Sequence, residues 1–218
     1  YISYFIEYMN QKNGKNSLGL DLCFEDLGNP IDLFKNWFKK AEEKEINDPN
    51  AVALGTADQN NQPSVRMVLL KGLSDKGFVF YTNFNSRKGN DLKINQQASM
   101  CFHWKSLRRQ VRVIGKVEQV TEKEADDYFN SRPYKNRVSA WASSQSEKLE
   151  SRNVFLSKIK EFEKKYSDQN KVPRPPHWSG WRILPREIEF WLDGEGRIHE
   201  RLNYINNTGV WGKEILYP

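Results

Sequence analysis

The sequence predicts a mainly β fold, an antiparallel barrel with helices at its periphery and therefore of the α+β class. Residues 51–120 carry short segments rich in Val, Phe, Tyr and Thr, separated by Gly, Asn, Asp or Pro. This pattern is typical of strands joined by turns. Residues 178–202 show the same pattern after a proline-rich break at 173–176. Five strands within the first region indicate a barrel or a sandwich, and we expect the barrel.

The composition is that of one globular domain. The 218 residues are 38% hydrophobic and 13% aromatic, which is enough for one sizeable core. We expect residues 29–218 to form this domain and residues 1–28 to form an N-terminal arm or a possible lid. The two cysteines have no CxxC spacing and no neighbouring pair of histidines, so the sequence indicates neither a disulfide nor a metal site.

Charge and hydropathy narrow the range of partners. Basic residues outnumber acidic ones by 34 to 28, and the net charge of +6 favours anionic partners. Nucleic acid and phosphorylated metabolites both fit this charge. The longest apolar runs, such as residues 67–70, are far too short to cross a bilayer, and no secretory leader pattern opens the chain. We therefore expect a cytoplasmic protein without a membrane partner.

The elements are predicted in order along the chain. Asn29 suits an N-cap and Pro30 a first helical residue, so an amphipathic helix begins here and ends near Ile46. Its apolar residues, spaced as on one helix face, are Leu33, Phe34, Trp37, Phe38 and Ala41. Strands are predicted at residues 51–57, 64–72, 77–83, 98–104, 110–120, 178–184, 188–192 and 197–202. Further helices are predicted at residues 86–95, 122–131 and 150–166.

The start of the predicted helix 86–95 is the first candidate site. Ser86, Arg87 and Lys88 bring a hydroxyl, two cations and free backbone N–H groups into one small volume, which suits a phosphate group. A serine-capped helix with solvated basic residues is the commoner meaning of such a pattern. These three residues alone leave both interpretations open.

Two further pairs of residues suit oxyanions. Arg66 and Lys71 bracket an apolar run, and their separation puts them on opposite faces of a regular strand. Either a bulge intervenes, or they serve two sites, or both are strand-end charges that reach solvent. Tyr128 and Arg132 are spaced i and i+4, so they share a helix face and either hold one oxyanion or form an ordinary surface pair.

The last candidate lies near the end of the chain. Arg197, His199 and Arg201 alternate along the predicted strand 197–202 and so project from one face. If that face is internal, the cations need anionic or polar partners, and a ligand is favoured. If it faces solvent, it is a basic edge that discourages aggregation. Trp191 precedes this segment and is either a core residue or the neighbour of a planar ligand.

Together these segments resemble a known family. The motifs are R-M-V-L-L-K at 66–71, F-Y-T-N at 80–83, S-R-K at 86–88, R-Q-V at 109–111, Y-F-x-S-R-P at 128–133, V-P-x-P-x-x-W at 172–178, I-E-F-W at 188–191 and R-I-H-E-R at 197–201. In this order and spacing they resemble the pyridoxine/pyridoxamine 5′-phosphate oxidase family. The resemblance runs from about Asp48 to the end of the chain.

The resemblance implies an FMN-binding split β-barrel that works as a homodimer, with FMN bound across the interface. It assigns the flavin phosphate to Arg66, Arg87 and Lys88, at the helix start that Ser86 caps. The other cofactor-binding residues that it implies, some of them from the partner subunit, are Met67, Val68, Leu69, Leu70, Lys71, Tyr81, Thr82, Gln110, Gln145, Ser146, Trp191 and Arg201. The implied substrate-phosphate residues are Lys71, Tyr128, Arg132 and Asn136, and the implied catalytic residues over the pyridine ring are Arg197 and His199.

The implied reaction is the oxidation of pyridoxamine or pyridoxine 5′-phosphate to pyridoxal 5′-phosphate. Hydride passes from the substrate to the flavin, dioxygen reoxidises the flavin to give hydrogen peroxide, and the amine substrate also releases ammonia. The flavin supplies the difficult chemistry, and the protein supplies proximity, orientation and charge. Arg66 and Lys71 would then serve two different phosphates, as their opposite faces suggest.

Two positions depart from the family's pattern. Asn136 stands where a serine commonly contacts the substrate phosphate, and its amide can donate a hydrogen bond with a different reach. The N-terminal arm lacks the family's arginine-containing segment that closes over the active site, and Tyr8 is its nearest match.

Two other classes of function are weighed against this one. A flavin-binding split-barrel protein with an altered substrate would not need all the residues assigned to substrate binding. A nucleic-acid-binding protein would cluster its Lys and Arg residues on one face with exposed aromatic side chains. The basic residues of this chain are instead dispersed among acidic ones, so we expect no nucleic-acid partner.

Overall fold

The computed structural model describes residues 14–218, which form one antiparallel sheet with helices around it. Residues 1–13 lie outside the described part of the chain, and so does the prediction for Tyr8. The strands are β1 (Ala51–Ala57), β2 (Pro63–Leu69), β3 (Gly72–Ser74), β4 (Gly77–Asn83), β5 (Gln97–Trp104), β6 (Arg109–Gln119), β7 (Trp178–Leu192), β8 (Glu200–Asn207) and β9 (Val210–Ile215). The helices are α1 (Pro30–Lys44), α2 (Arg87–Ile94), α3 (Glu122–Ser131), α4 (Tyr134–Ala142) and α5 (Arg152–Lys165).

The sheet divides at β7. The strand order is β2-β1-β5-β6-β7-β4-β3, and β8 also pairs with β7 while β9 pairs with β8. Residues 178–183 of β7 pair with β4, and residues 187–192 pair with β8. The division falls at Pro185, which has no N–H for a ladder hydrogen bond, and β6 shifts register opposite it between Ile114 and Gly115. Such a bulge bends a strand, which lets the sheet curl into an open half-barrel.

Helix α1 packs into this curl and shares its core. Asn29 caps the helix by accepting a hydrogen bond from the backbone two residues on, at 3.0 Å. Phe34 then packs edge-on against Phe78 of β4, and Trp37 packs against Phe190 of β7. Each fully buried ring of this kind contributes about 1.5–3 kcal/mol, so the contact between α1 and the sheet holds the main core together.

Helices α3, α4 and α5 surround the start of β7 and form a second, smaller core. Its buried centre includes Phe129 of α3, Val138 of α4 and Trp178 of β7. Arg182 of β7 also pairs with Glu124 of α3. These contacts fix α3 and α4 beside β4, where they form one side of a cleft.

The predicted fold class is confirmed, and several local predictions are wrong. Residues 178–184 and 188–192 belong to one continuous strand, because the bulge in β6 accommodates Pro185. The predicted strand 64–72 ends at Leu69, and the predicted strand 197–202 begins only at Glu200. Helix α4 and strands β3 and β9 were not predicted. Helix α4 directly follows the break at Pro133, and β9 is mostly exposed and shows little alternation.

The described part of the N-terminal segment packs on the barrel. Leu20 and Phe24 are buried in the main core. The Tyr204 hydroxyl of β8 donates a hydrogen bond to the Leu27 carbonyl at 2.8 Å. Within residues 14–218, no helix combines the length and the apolar character needed to cross a membrane.

Candidate functional site

A cleft of about 550 Å³ lies between strands β2 and β4 on one side and helices α3 and α4 on the other. A concave space of this size is typical of small-molecule sites. The residues that line it are Met67, Val68, Leu69, Lys71, Tyr81, Thr82, Asn83, Lys88, Tyr128, Ser131, Arg132, Pro133, Asn136, Ser139, Ala140, Ser143, Gln145 and Trp178. Eleven of these were predicted from the sequence as cofactor-binding or substrate-binding residues, and the fold brings them together.

An aromatic stack forms one wall of the cleft. The Tyr81 ring centre lies 4.0 Å from that of Tyr128 and 5.5 Å from that of Trp178, and the planes are nearly parallel. Burial raises the pKa of both Tyr81 and Tyr128, so both phenols stay neutral at physiological pH. The stack therefore offers flat ring surfaces with neutral hydroxyl groups at their edges.

The Ser86-Arg87-Lys88 motif starts α2, as predicted. The Ser86 hydroxyl caps the helix by accepting a hydrogen bond from the Gly89 amide at 3.4 Å. Arg87 is exposed, whereas Lys88 is only 8% exposed. Because Lys88 faces inward, the motif is more than a capped helix with solvated charges.

The Lys88 ammonium group has only neutral hydrogen-bond partners among the described residues. Its Nζ lies 3.1 Å from Ser86 Oγ, 3.2 Å from Thr82 Oγ1 and 3.3 Å from Gln145 Oε1. Burial, and to a lesser degree the charge of Arg66, lowers the pKa of Lys88 to about 8. A buried cation without a counter-charge is costly, so this group indicates an anionic ligand.

Arg66 lies close to this cation and is held in place by β1 and β2. Its Nη1 donates to Thr56 Oγ1 at 2.6 Å, and its Nη2 donates to Ser64 Oγ at 2.7 Å. The buried carboxylate of Asp91 lies 3.8 Å from Nη2. Burial lowers the pKa of Arg66, and Asp91 opposes this effect. The guanidinium is therefore oriented before any ligand binds.

Arg132 is a second cation that indicates a ligand. Its guanidinium carbon lies 4.7 Å from the centre of the Trp178 ring. Its Nη1 atom is buried and makes no hydrogen bond to any described residue. Burial lowers the pKa of Arg132, and Tyr128 opposes this effect. Lys71 and Asn136 line the same cleft, so the residues predicted for the substrate phosphate are brought together.

Arg66 and Lys71 do not lie on one regular strand. Strand β2 ends before Leu70, whose side chain is buried in the main core. The Lys71 amide then donates to the Val79 carbonyl at 2.8 Å. Lys71 therefore lines the cleft while Arg66 lies near Lys88, which fits two separate anionic groups.

A second group of predicted residues lies at the other end of β7. Gln110 of β6, Trp191 of β7 and Arg201 of β8 are direct cross-strand partners, so their side chains share one face. The His199 ring centre lies 4.7 Å from that of Trp191, and its Nδ1 lies 3.2 Å from Asp193 Oδ1. Within one chain, no residue of this group lines the cleft among residues 14–218.

The structure corrects the prediction that Arg197, His199 and Arg201 alternate along one strand. Arg197 ends a single helical turn, Glu195–Arg197, and its φ of 68° is left-handed. Such a φ is uncommon for a residue other than glycine, so the local sequence did not signal it. Arg197 is exposed and shares no strand face with Arg201.

Five further residues that were predicted for the site do not line the cleft: Arg66, Leu70, Ser86, Arg87 and Ser146. Ser146 follows the lining residue Gln145, and its φ of 75° turns the chain. The lining residues that sequence reasoning did not assign to the site are Asn83, Ser131, Pro133, Ser139, Ala140, Ser143 and Trp178. The first three lie within the F-Y-T-N and Y-F-x-S-R-P motifs, which therefore held a signal for them. Ser139 and Ala140 belong to α4, which was not predicted.

Comparison with known proteins gives a consistent result over most of the chain. Residues 38–166 match the family described as pyridoxamine 5′-phosphate oxidase, and residues 178–218 match the pyridoxine 5′-phosphate oxidase C-terminal dimerisation region. The chain is 60% identical over 207 residues to a pyridoxine/pyridoxamine 5′-phosphate oxidase of Pelagibacter ubique strain HTCC1062, covering 94% of this chain and 100% of the relative. It is 52% identical over 197 residues to the Agrobacterium fabrum protein of the same name, covering 89% and 95%.

Solved structures share the fold. PhzG from Burkholderia lata 383, in complex with tetrahydrophenazine-1-carboxylic acid, superposes with a TM-score of 0.84 at 30% identity, covering 90% of this chain and 96% of that chain. A pyridoxamine 5′-phosphate oxidase-related, FMN-binding protein from Nostoc punctiforme PCC 73102 superposes with a TM-score of 0.68 at 17% identity, covering 85% and 97%. The second likeness concerns the fold alone.

Proposed function

This chain belongs to the pyridoxine/pyridoxamine 5′-phosphate oxidase family, and on that premise we propose that FMN is its cofactor and that the cleft holds FMN beside the substrate. The chain is a flavin oxidoreductase that oxidises pyridoxine and pyridoxamine 5′-phosphates. The observation that carries the proposal is the positive charge of the cleft. Lys71, Lys88 and Arg132 line it, and none of its described lining residues is acidic. The phosphate groups of FMN and substrate would supply the missing negative charge.

The flavin phosphate is assigned to the start of α2. A phosphate oxygen would replace the neutral hydrogen-bond partners of the Lys88 ammonium group. The positive charges of Arg66 and Arg87 lie near the same helix start. The free N–H groups of the first helical turn favour an anion at this position. Among residues 14–218, only hydroxyl and amide groups accept hydrogen bonds from the buried Lys88 ammonium group, which supports this fit.

The substrate phosphate is assigned to the wall formed by α3 and α4. The Nη1 of Arg132, which has no hydrogen-bond partner among the described residues, would donate to a phosphate oxygen, with the Tyr128 hydroxyl and the Asn136 amide as further donors. The contact of the Arg132 guanidinium with the face of the Trp178 ring, at 4.7 Å from the ring centre, would restrain its position. Lys71 lies on the β2 side, where it would contact the substrate phosphate from the flavin side of the cleft.

The flavin ring is assigned to the surface of the cleft between the two phosphate positions. Backbone and side chains of residues 67–71, with Tyr81 and Thr82, would hold the flavin ring. When bound, FMN would supply the redox chemistry, in which two electrons leave the substrate carbon and reduce dioxygen to hydrogen peroxide. With the amine substrate, water would then hydrolyse the oxidised product to the aldehyde and ammonia. The protein's part is to hold the two ring systems against each other.

The group at the other end of β7 is assigned to the cleft of a partner subunit. Gln110, Trp191 and Arg201 would contact the flavin there, and Arg197 and His199 would cover the substrate ring. Two facts support a homodimer of this kind. The matched dimerisation region contains β7, β8 and β9. The edge strand β2 also exposes apolar side chains beside the cleft, including Val65 and Met67.

The absorption spectrum of the purified protein tests this function. We expect flavin bands, and in air the addition of pyridoxamine 5′-phosphate should produce aldehyde and hydrogen peroxide. Flavin bands without turnover would favour a split-barrel protein with a changed substrate. Failure to bind FMN after reconstitution would contradict the assignment of the cofactor.

A further inference from the structure

Glu189 of β7 is a buried carboxylate that the proposed function does not use. Its exposure is 3%. Its Oε1 accepts a hydrogen bond from Arg201 Nε at 2.8 Å, and its Oε2 lies 3.2 Å from Arg112 Nη1. Each carboxylate oxygen therefore has its own guanidinium partner, one on β6 and one on β8.

The position of Glu189 follows from the register of the sheet. Side chains two residues apart on a strand point to the same face, so Glu189 and Trp191 share a face of β7. Trp191 lies directly opposite Arg201 on β8, which makes Glu189 the diagonal neighbour of Arg201. Glu189 thus lies on the same sheet face as Gln110, Trp191 and Arg201, which we assign to the flavin, but two residues before Trp191 along β7.

The Arg201 guanidinium is held on two sides. Nε donates to Glu189, and Nη1 donates to the Tyr217 carbonyl at 2.8 Å. The Leu216 amide also donates to the Arg201 carbonyl at 3.1 Å, so the residues that directly follow β9 keep this contact in place. No described residue hydrogen-bonds to Nη2, which remains available to a ligand. The hydrogen bond that Arg201 donates to Glu189 also raises the pKa of Arg201.

We propose that Glu189 is a positioning residue that orients the Arg201 guanidinium toward the flavin and balances its charge within the sheet. The inference rests on the proposed role of Arg201 in FMN binding. Arg112 shares the same carboxylate but has no assigned role at the site, so it provides a matched control.

The test compares the dissociation constant of FMN, measured by flavin fluorescence on the apoprotein, for Glu189→Gln, Arg201→Gln and the double variant. Glutamine keeps the shape of Glu189 but removes its charge and presents an N–H group to one of the two guanidinium groups. We expect each single variant to bind FMN about tenfold more weakly, because one charge-assisted interaction is lost. The double variant should bind no more weakly than Arg201→Gln, since Glu189 acts through Arg201.

Arg112→Gln is the control for a merely structural role. It breaks the other half of the same buried ion pair, and it should lower the melting temperature while leaving FMN affinity within about twofold of the parent. Additive losses in the double variant, or unchanged affinity in Glu189→Gln, would overturn the inference. Unchanged affinity in Arg201→Gln would instead overturn the assignment of Arg201 to the flavin. If Glu189→Gln does not fold, Glu189→Asp keeps the charge at shorter reach and should show an intermediate loss of FMN affinity.

Discussion

Lys88 is a residue whose charge changes close to physiological pH. Burial and the charge of Arg66 lower its pKa to about 8 because its own hydrogen-bond partners are neutral. A phosphate dianion beside it would favour the charged form and raise this pKa again. Ligand binding and proton uptake are therefore coupled at this side chain.

We expect the affinity for FMN to fall as the pH rises above about 8. Below that pH Lys88 is already charged in the free protein, and the phosphate is a dianion above about pH 6. Above it, binding must first protonate Lys88, so the dissociation constant should rise by up to about tenfold per pH unit. Titration of the apoprotein with FMN between pH 7 and 10 measures this slope.

Lys88→Met is the control for this pH dependence. It should bind FMN about 10- to 100-fold more weakly at pH 7, since a charge-assisted hydrogen bond is lost. Its affinity should no longer change with pH between 8 and 10. The same slope in parent and variant would show that another group titrates.

Arg132 is predicted to discriminate between substrates with and without a phosphate. Lysine cannot stack on Trp178 or present two parallel N–H groups, so Arg132→Lys should lower kcat/KM for pyridoxamine 5′-phosphate by about 10- to 100-fold. Pyridoxamine, which lacks the phosphate, should be affected much less. Steady-state kinetics with both substrates measure the ratio.

Arg174→Lys is the matched control for this prediction. Arg174 donates to the Trp178 carbonyl at 2.7 Å but does not line the cleft. Its replacement should leave the ratio of the two substrates unchanged. Equal losses for both substrates in Arg132→Lys would mean that Arg132 does not contact the phosphate.

At the scale of elements, the bulge where β6 meets Pro185 shapes the half-barrel. Gly115 sits at this register shift, and an added Cβ would lie 2.0 Å from the Leu184 carbonyl oxygen. Gly115→Ala should therefore lower the free energy of unfolding by about 1–3 kcal/mol or more, because backbone must move to relieve the clash.

Urea unfolding of Gly115→Ala and Gly212→Ala checks this expectation. Gly212 also lies in a strand, β9, but an added Cβ there would meet its nearest neighbour at 3.8 Å, which is ordinary contact. Its replacement should change the free energy of unfolding by no more than about 0.5 kcal/mol. Equal effects of the two substitutions would show that the close approach at Gly115 is easily relieved.

At the scale of the whole molecule, a site shared between subunits couples cofactor binding to dimerisation. If Trp191 and Arg201 of one subunit contact the flavin in the cleft of the other, FMN must stabilise the dimer. By linkage, the dimer must then bind FMN more tightly than the monomer. We expect a dimer dissociation constant at least about tenfold lower with FMN than without it.

Analytical ultracentrifugation of the apoprotein and the FMN-loaded protein over a dilution series measures both dissociation constants. Albumin, or another protein without a flavin site, controls for changes in sedimentation caused by FMN itself. Identical dissociation constants in the two forms would contradict a flavin site shared between subunits.

Sequence patterns alone predicted the fold class, most element positions and eleven of the eighteen residues that line the cleft. The strand-forming residue types and the turn residues between them are local signals, so they placed β1 and β4 at their observed bounds. The cap at Ser86 is also local, and it predicted where α2 begins. The motifs named the cationic residues Lys71, Lys88 and Arg132 before the fold brought them into one cleft.

How these residues face one another depends on contacts between segments that are far apart in the sequence. The left-handed turn at Arg197 and the continuous path of β7 past Pro185 depend on neighbouring strands, so no local pattern encodes them. Packing between distant segments buries Lys88, and it leaves the Nη1 of Arg132 without a hydrogen-bond partner in the described part of the chain. The sequence alone did not indicate a role for Glu189. Its role follows from the strand register, which places two guanidinium groups beside its carboxylate. Register is a non-local property, since strands far apart in sequence must pair before it exists.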